Sequence, residues 1–340
     1  MRILYLIGNG FDINVGLNTS YQDFLKFYLG QPVPRELDDV GVRFINRLKE
    51  EMQSDIQLWS DLELQYGKHM ARLGHMGSAV HPINDEFDII NDDIRDNLSK
   101  YIATQEKRLF FTEDAKKRFL ADLADPEAFF RDYEKNEVDN RRKNFWYSTG
   151  KVIDIITFNY TRTIETLLGK TPAQSSGFEV NAPIHVHGYY DSRMIMGVND
   201  ASQIDNEELR NNTYITDALV KSKNNHAYGI SHTNKCNQLI KNAQLICIYG
   251  LSFGETDKMW WQKICIELKG RTDLLVLVHW YVKDLPDYSN SGHKLQYLMN
   301  QTADKLLSLG GIAENERSNL LNRIYVTINS PKFNFKIEED

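Results

Sequence analysis

Four short stretches join residue types that can handle a polar ligand to the places where apolar runs stop: Gly8-Asn9-Gly10, Thr157-Phe158-Asn159-Tyr160, His187-Gly188 and Gly250-Leu251-Ser252. A histidine imidazole, whose ordinary pKa is about 6.5, suits a general base near neutral pH, and His187 is the candidate for that part. Asn159 donates and accepts hydrogen bonds through one amide and can orient a hydroxyl or a water. Gly8 and Gly10 admit backbone angles closed to other residues and a close approach of main chain to ligand. A phosphate at the N-terminus of a following helix is the ligand such a turn favours, and a tight strand-to-helix turn with no ligand is the alternative. His185 and His187 share a strand face, as two metal ligands would, but no third ligand accompanies them. No metal is therefore expected, and His185 is read as a packing or supporting residue.

Elements that end at these stretches must position them. Ile3 to Ile7 reads as a buried strand that breaks at Gly8, and Val152 to Thr157 is a β-branched strand followed by a helix through Ile164, Leu167 and Leu168. Pro183 to Gly188 reads as a short strand with Met194 to Val198 as its hairpin partner, and a helix is expected near Glu207 to Val220. Leu245 to Tyr249 is a third strong strand, closing on Gly250 and leading to a helix from Asp257 to Leu268. A strand from Asp273 to Tyr281, a helix over 293–309 and a strand from Arg323 to Ile328 complete the series. Strands alternating with helices imply an α/β, Rossmann-like fold, with a mainly parallel sheet covered by helices on both faces. In such a sheet, ligands sit beyond the carboxyl ends of the strands, and the fold would bring all four stretches to that edge.

Between the first strand and the rest of the sheet lies a polar, helix-rich region. Ser20, with Asp23 three residues on, caps a helix through Tyr21, Phe24, Leu25 and Tyr28. Phe87, Ile90, Ile94, Leu98 and Ile102 recur at steps of three and four and mark one helix face. The expected organisation is a core of residues 1–34 and 146–340 with a helical insertion over 35–145. Trp59, Asp61 and Glu63 fall within the insertion; they read as a solvated helix with one aromatic anchor, or as a carboxylate reaching into the site. Trp260 and Trp261 read as core or interface, and Tyr5 as core.

The 340 residues are 41% hydrophobic, enough for a substantial core, and 40 basic against 47 acidic residues leave a net charge of −7. A general nucleic-acid-binding surface is not indicated. Three cysteines without CxxC spacing suggest neither a disulfide framework nor a zinc site and fit a reducing cytoplasm. The apolar run at the amino terminus is too short for a signal peptide, and no run approaches the roughly 20 residues that span a bilayer.

Taken in order, IGNGFD, WSDLE, TFNYTRTIE, HVHG and YGLSFGETD resemble the AbiH family of bacteriophage abortive-infection proteins. The same order is similar to the Sir2-like class, whose turns bind and cleave NAD, although Thr161 stands where that class has an acid. The resemblance implies an antiphage protein that binds an adenine dinucleotide and hydrolyses NAD to nicotinamide and ADP-ribose. It implies His187 as base and Asn159 beside the nicotinamide ribose. Gly8 and Gly10 would face the phosphates, with Asn9, Asp12, Tyr160, Gly250, Ser252 and Asp257 as further cofactor-binding positions. A phage or host protein would serve as trigger, and a homo-oligomer stays open. The alternative is a nucleotide-binding sensor or protein-interaction module without turnover.

Overall fold

The computed structural model describes the chain except residues 36, 38, 71–82, 147–149, 170–173, 176, 229–231, 289–290 and 339–340. It divides into two compact units: a sheet unit, Met1–Leu17, Arg108–Val186 and His232–Asp340, and a helical unit, Asn18–Lys107 and His187–Ser231. The cuts fall elsewhere than at 35 and 145. Residues 108–145 go with the sheet, and 187–231 go with the helices.

Among the described residues, the sheet unit holds eight strands: β1 (Arg2–Ile7), β2 (Lys151–Thr157), β3 (Gln174–Ser175), β4 (Phe178–Val180), β5 (Ile184–His185), β6 (Leu245–Tyr249), β7 (Leu275–Trp280) and β8 (Ile324–Ile328). Their order is β3-β4-β2-β1-β6-β7-β8, with β5 also pairing β2, and every pairing except β3 with β4 is parallel. Without the two-residue strands, the spatial order is third-second-first-fourth-fifth-sixth, the Rossmann arrangement. β1 is buried at every position after Arg2, as a central strand covered on both faces must be.

Alternate residues divide between two cores. Leu4, Leu6, Ile156, Ile246, Ile248, Val276 and Val278 face one side, where Trp260, Trp261, Ile264 and Leu306 join them from the helices Lys258–Gly270 and Gly292–Leu309. Ile3, Tyr5, Ile7, Ile153, Ile155, Cys247 and Leu277 face the other, packed with Phe11, Phe119, Ile164 and Phe333. The tryptophan pair and Tyr5 are thus core, as the sequence implies.

In the helical unit, Ser20 caps Tyr21–Leu29 by accepting from the Asp23 amide at 3.1 Å. Phe87, Ile90, Ile94, Leu98 and Ile102 are all buried along Ile83–Glu106. Two expectations are corrected here. Met194 to Val198 is not a strand: the segment is buried, and its main chain bonds back to the expected hairpin partner at one point, Ile195 N donating to His187 O at 2.9 Å, and then to the region of Val220, with Val198 N donating to Leu219 O at 2.8 Å and Lys221 N to Val198 O at 3.0 Å. A short apolar run marks burial and does not distinguish a strand from an irregular buried segment. The helix expected near Glu207 to Val220 is two helices, Glu207–Asn211 and Thr213–Leu219, broken at Asn212, whose side chain caps the second by accepting from the Ile215 amide.

Glu63 does not lie on a solvated face. Its Oε2 accepts from Lys221 Nζ at 2.7 Å in a pair of which both members are buried. Removing one partner of such a pair strands the other charge. Lys221→Met is expected to destabilise the chain by about 3–5 kcal/mol in chemical denaturation, and pairing it with Glu63→Met to recover most of that loss.

Candidate functional site

The turn after β1 is in backbone contact with the turn after β6. Gly8 N donates to Tyr249 O and Gly10 N to Gly250 O, each at 2.9 Å, and Phe11 N returns to Gly8 O. A Cβ on Gly10 would lie 2.7 Å from Gly250 Cα, and Gly250 sits at φ +70°, so the contact requires both glycines. The amides of Gly8, Gly10 and Phe11 are therefore spent on the fold.

The helix Gly10–Val15 then buries Phe11 on one side and Asp12 on another. Asp12 is 1% exposed. Its Oδ2 accepts from Thr161 Oγ1 at 2.6 Å, and Thr161 Oγ1 lies 3.0 Å from Thr163 Oγ1. With the Thr161 proton committed to Asp12, Thr163 is the donor of the second bond. Burial pushes the Asp12 carboxyl up from 3.8 to about 6, while Thr161, Thr163, Asn159 and the potential of His185 pull the other way.

Asn159 stands at the carboxyl end of β2, 4% exposed. Its N–H donates to Thr157 Oγ1 at 3.2 Å and its carbonyl lies 2.9 Å from His185 Nδ1. The amide favours the Asp12 carboxylate, yet neither its Oδ1 nor its Nδ2 closes a hydrogen bond to a protein atom, and Asp12 Oδ1 is likewise unpartnered. Buried polar atoms are almost always paired, so three orphans on two neighbouring side chains mark a place built for a water or a ligand group. His185 Nε2 lies 2.8 Å from Glu165 Oε1, on the helix Thr163–Leu168.

The sheet unit thus brings Asp12 and Asn159 together, with the buried Tyr160 beside Asn159 in sequence. Asn9 is half-buried at the start of its helix. On the other side of β1, Ser252 is exposed, and its carbonyl accepts from Lys305 Nζ at 3.1 Å. Asp257 precedes the helix Lys258–Gly270. Between them Phe253 takes φ +53°, rare for a bulky residue, with its ring 4.9 Å from Trp280 and 5.1 Å from Trp261. In the helical unit, His187 is buried, its carbonyl accepts from Ile195 N at 2.9 Å, and Gly188 turns the chain at φ +71°.

Sequence reasoning passed over Thr161, Thr163 and Glu165 as site residues. The register that puts His185 opposite Thr157 in parallel β5 and β2 brings Glu165 in, and the pairing of β1 with β2 brings Thr161 and Thr163 to Asp12. Two surface clefts, of about 260 and 640 Å³, flank Gly292–Leu309 and are lined by none of the predicted site residues. Among the described residues, no three His, Cys, Asp or Glu side chains are grouped to hold a metal ion, and no helix is long and apolar enough to cross a membrane.

The family model for bacteriophage abortive infection AbiH proteins matches residues 4–279. The chain belongs to this family. The match takes in most of β1, nearly all of β7 and every predicted site residue of this AbiH protein, and membership places it in phage abortive infection. No curated protein matches the chain significantly.

The raised Asp12 pKa fixes the sign of a pH effect on this AbiH chain. A carboxyl titrating higher in the fold than at its unfolded 3.8 contributes stability that is fully present below that value and is lost as pH rises through about 6, on the order of 3 kcal/mol in all. Asp12→Asn keeps an acceptor for Thr161 and removes the titration. Urea denaturation at steps from pH 4 to 7 is expected to give a flatter stability profile for the variant; parallel profiles would contradict the assignment.

Proposed function

We propose that this AbiH protein acts in abortive infection by binding NAD and splitting its nicotinamide–ribose bond. The observation that carries the reading is the Asn159 amide, buried with both polar atoms unpartnered beside Asp12 at the carboxyl end of β2. One donor and one acceptor on a rigid turn suit a ribose hydroxyl or the attacking water. Burial next to a carboxylate also suits a carbon that becomes positive as the bond breaks.

The leaving group needs little help, because the nicotinamide of NAD already carries positive charge. As the C1′–N bond breaks, its electron pair goes to nicotinamide, and a water oxygen forms the new bond to C1′. The water's proton passes to a base, for which His187 is the candidate, and the products are nicotinamide and ADP-ribose. Such a base contributes about 10²–10⁴-fold. With the Gly8, Gly10 and Phe11 amides bonded to protein carbonyls, the pyrophosphate is held by other groups. The glycines serve by letting the two turns meet.

Purified chain incubated with NAD is expected to release nicotinamide and ADP-ribose, followed by chromatography. Asn159→Ala and His187→Ala are each expected to lower that release by at least about 10²-fold while unfolding at the temperature of the parent. Release that is undiminished in both folded variants would sink the assignment. NAD binding without release would favour a sensor.

A further inference from the structure

The turn that presents Asn159 is held on three sides, and one hold needs a partner of its own. β5 consists of Ile184–His185 alone, in parallel register with Ile156 and Thr157 of β2, and Val186 N donates to Thr157 O at 3.0 Å. This register carries the His185 ring past the end of β2, where Nδ1 comes within 2.9 Å of the Asn159 carbonyl oxygen. A carbonyl oxygen only accepts, so Nδ1 carries the proton. Nε2 then faces Glu165 Oε1 at 2.8 Å, a hydrogen bond completed by one proton shared between the two atoms. Glu165 sits on the first turn of the helix that follows the Asn159 turn, so the imidazole ties the start of the turn to the helix at its end.

Every main-chain polar atom of Asn159 is engaged in this arrangement, and neither polar atom of its side chain is. Thr161 Oγ1, two residues on, is fixed to Asp12. A turn secured at Thr157, His185 and Asp12 with only the amide left over is what an orienting residue requires, since small displacements of such a group are costly to a reaction.

We propose that His185 and Glu165 form a positioning pair for Asn159: the imidazole bridges the Asn159 carbonyl and the Glu165 carboxylate and so fixes the turn that presents the Asn159 amide to the ribose. The pair takes no part in bond breaking. Its effect on turnover rests on the NAD reading above, whereas its geometry does not.

Two measurements on the full chain separate these layers. The first is the long-range proton–nitrogen spectrum of histidine-labelled protein, with the His185 signals identified by their loss in His185→Gln. A protonated Nδ1 at neutral pH is expected, with the Nε2 shift altered in Glu165→Gln; an unprotonated Nδ1, or an Nε2 indifferent to Glu165→Gln, overturns the proposal. The second is the kinetics of nicotinamide release. Glu165→Gln is expected to lower kcat about ten- to a hundredfold with KM for NAD changed by less than about threefold, and Glu165→Asp to recover part of the loss. Folded Glu165→Gln and His185→Gln proteins as fast as the parent would also overturn it. Should the parent release no nicotinamide, the reaction falls and the pair is decided by the spectrum alone.

Discussion

The sheet unit depends on the meeting of two main chains at the middle of its edge. In a sheet of this strand order the ligand crevice is expected where the order reverses, between the first strand and the fourth in sequence. Here those strands are β1 and β6, and their turns touch through Gly8, Gly10 and Gly250. The contact sets the start of the helix Gly10–Val15 and therefore the directions of Phe11 and Asp12. Phe11 goes into the aromatic core, its ring 5.3 Å from Phe333 and 5.8 Å from Phe119. Asp12 goes toward β2 and meets Thr161. The unpartnered polar atoms consequently lie at the ends of β1 and β2.

That placement has an energetic cost. A buried polar group without a partner forfeits about 1–3 kcal/mol, and a carboxyl raised to about 6 is partly uncharged at neutral pH when water would keep it ionised. The surrounding core offsets this, and part of that core comes from beyond the stretch matched by the family. Phe333, Phe335 and Ile337 are buried in the cluster around Phe11, Asn14 Nδ2 donates to Phe333 O at 2.7 Å, and Ile337 N donates to Val15 O at 2.8 Å. Lys332, itself buried, donates to the carbonyls of Asp122 and Asp125 at the end of Glu113–Ala124, an arrangement that suits a cation at a helix carboxyl end. The last residues therefore brace the helix that carries Asp12.

Much of this fold was legible in the sequence, because its long central strands are short apolar runs ending in glycine or asparagine, and that pattern has few other readings. β1, β2, β6 and the helices after them lie where the patterning puts them. Met194 to Val198 misled because burial alone looks the same whether the main chain bonds to a strand or to an irregular segment. The meeting of Asp12 and Asn159 follows from turns the sequence marks after β1 and β2. The site was not legible at Glu165, whose part comes from the pairing of β2 with β5, or at Thr161 and Thr163, whose part comes from the pairing of β1 with β2 that brings Asp12 to them. The glycines were legible as special, but the sequence could not distinguish a turn opened for a phosphate from one closed on another glycine.

An Asn159 amide held ready for a substrate, as proposed above, would report substrate binding through its own resonance. In nitrogen-labelled protein, the Asn159 side-chain amide signal is identified by its absence in Asn159→Ala and followed as NAD is added. A saturable shift of that signal is expected. Its staying fixed at NAD concentrations that move other resonances would show that the dinucleotide binds elsewhere and that the Asn159 amide does not meet it.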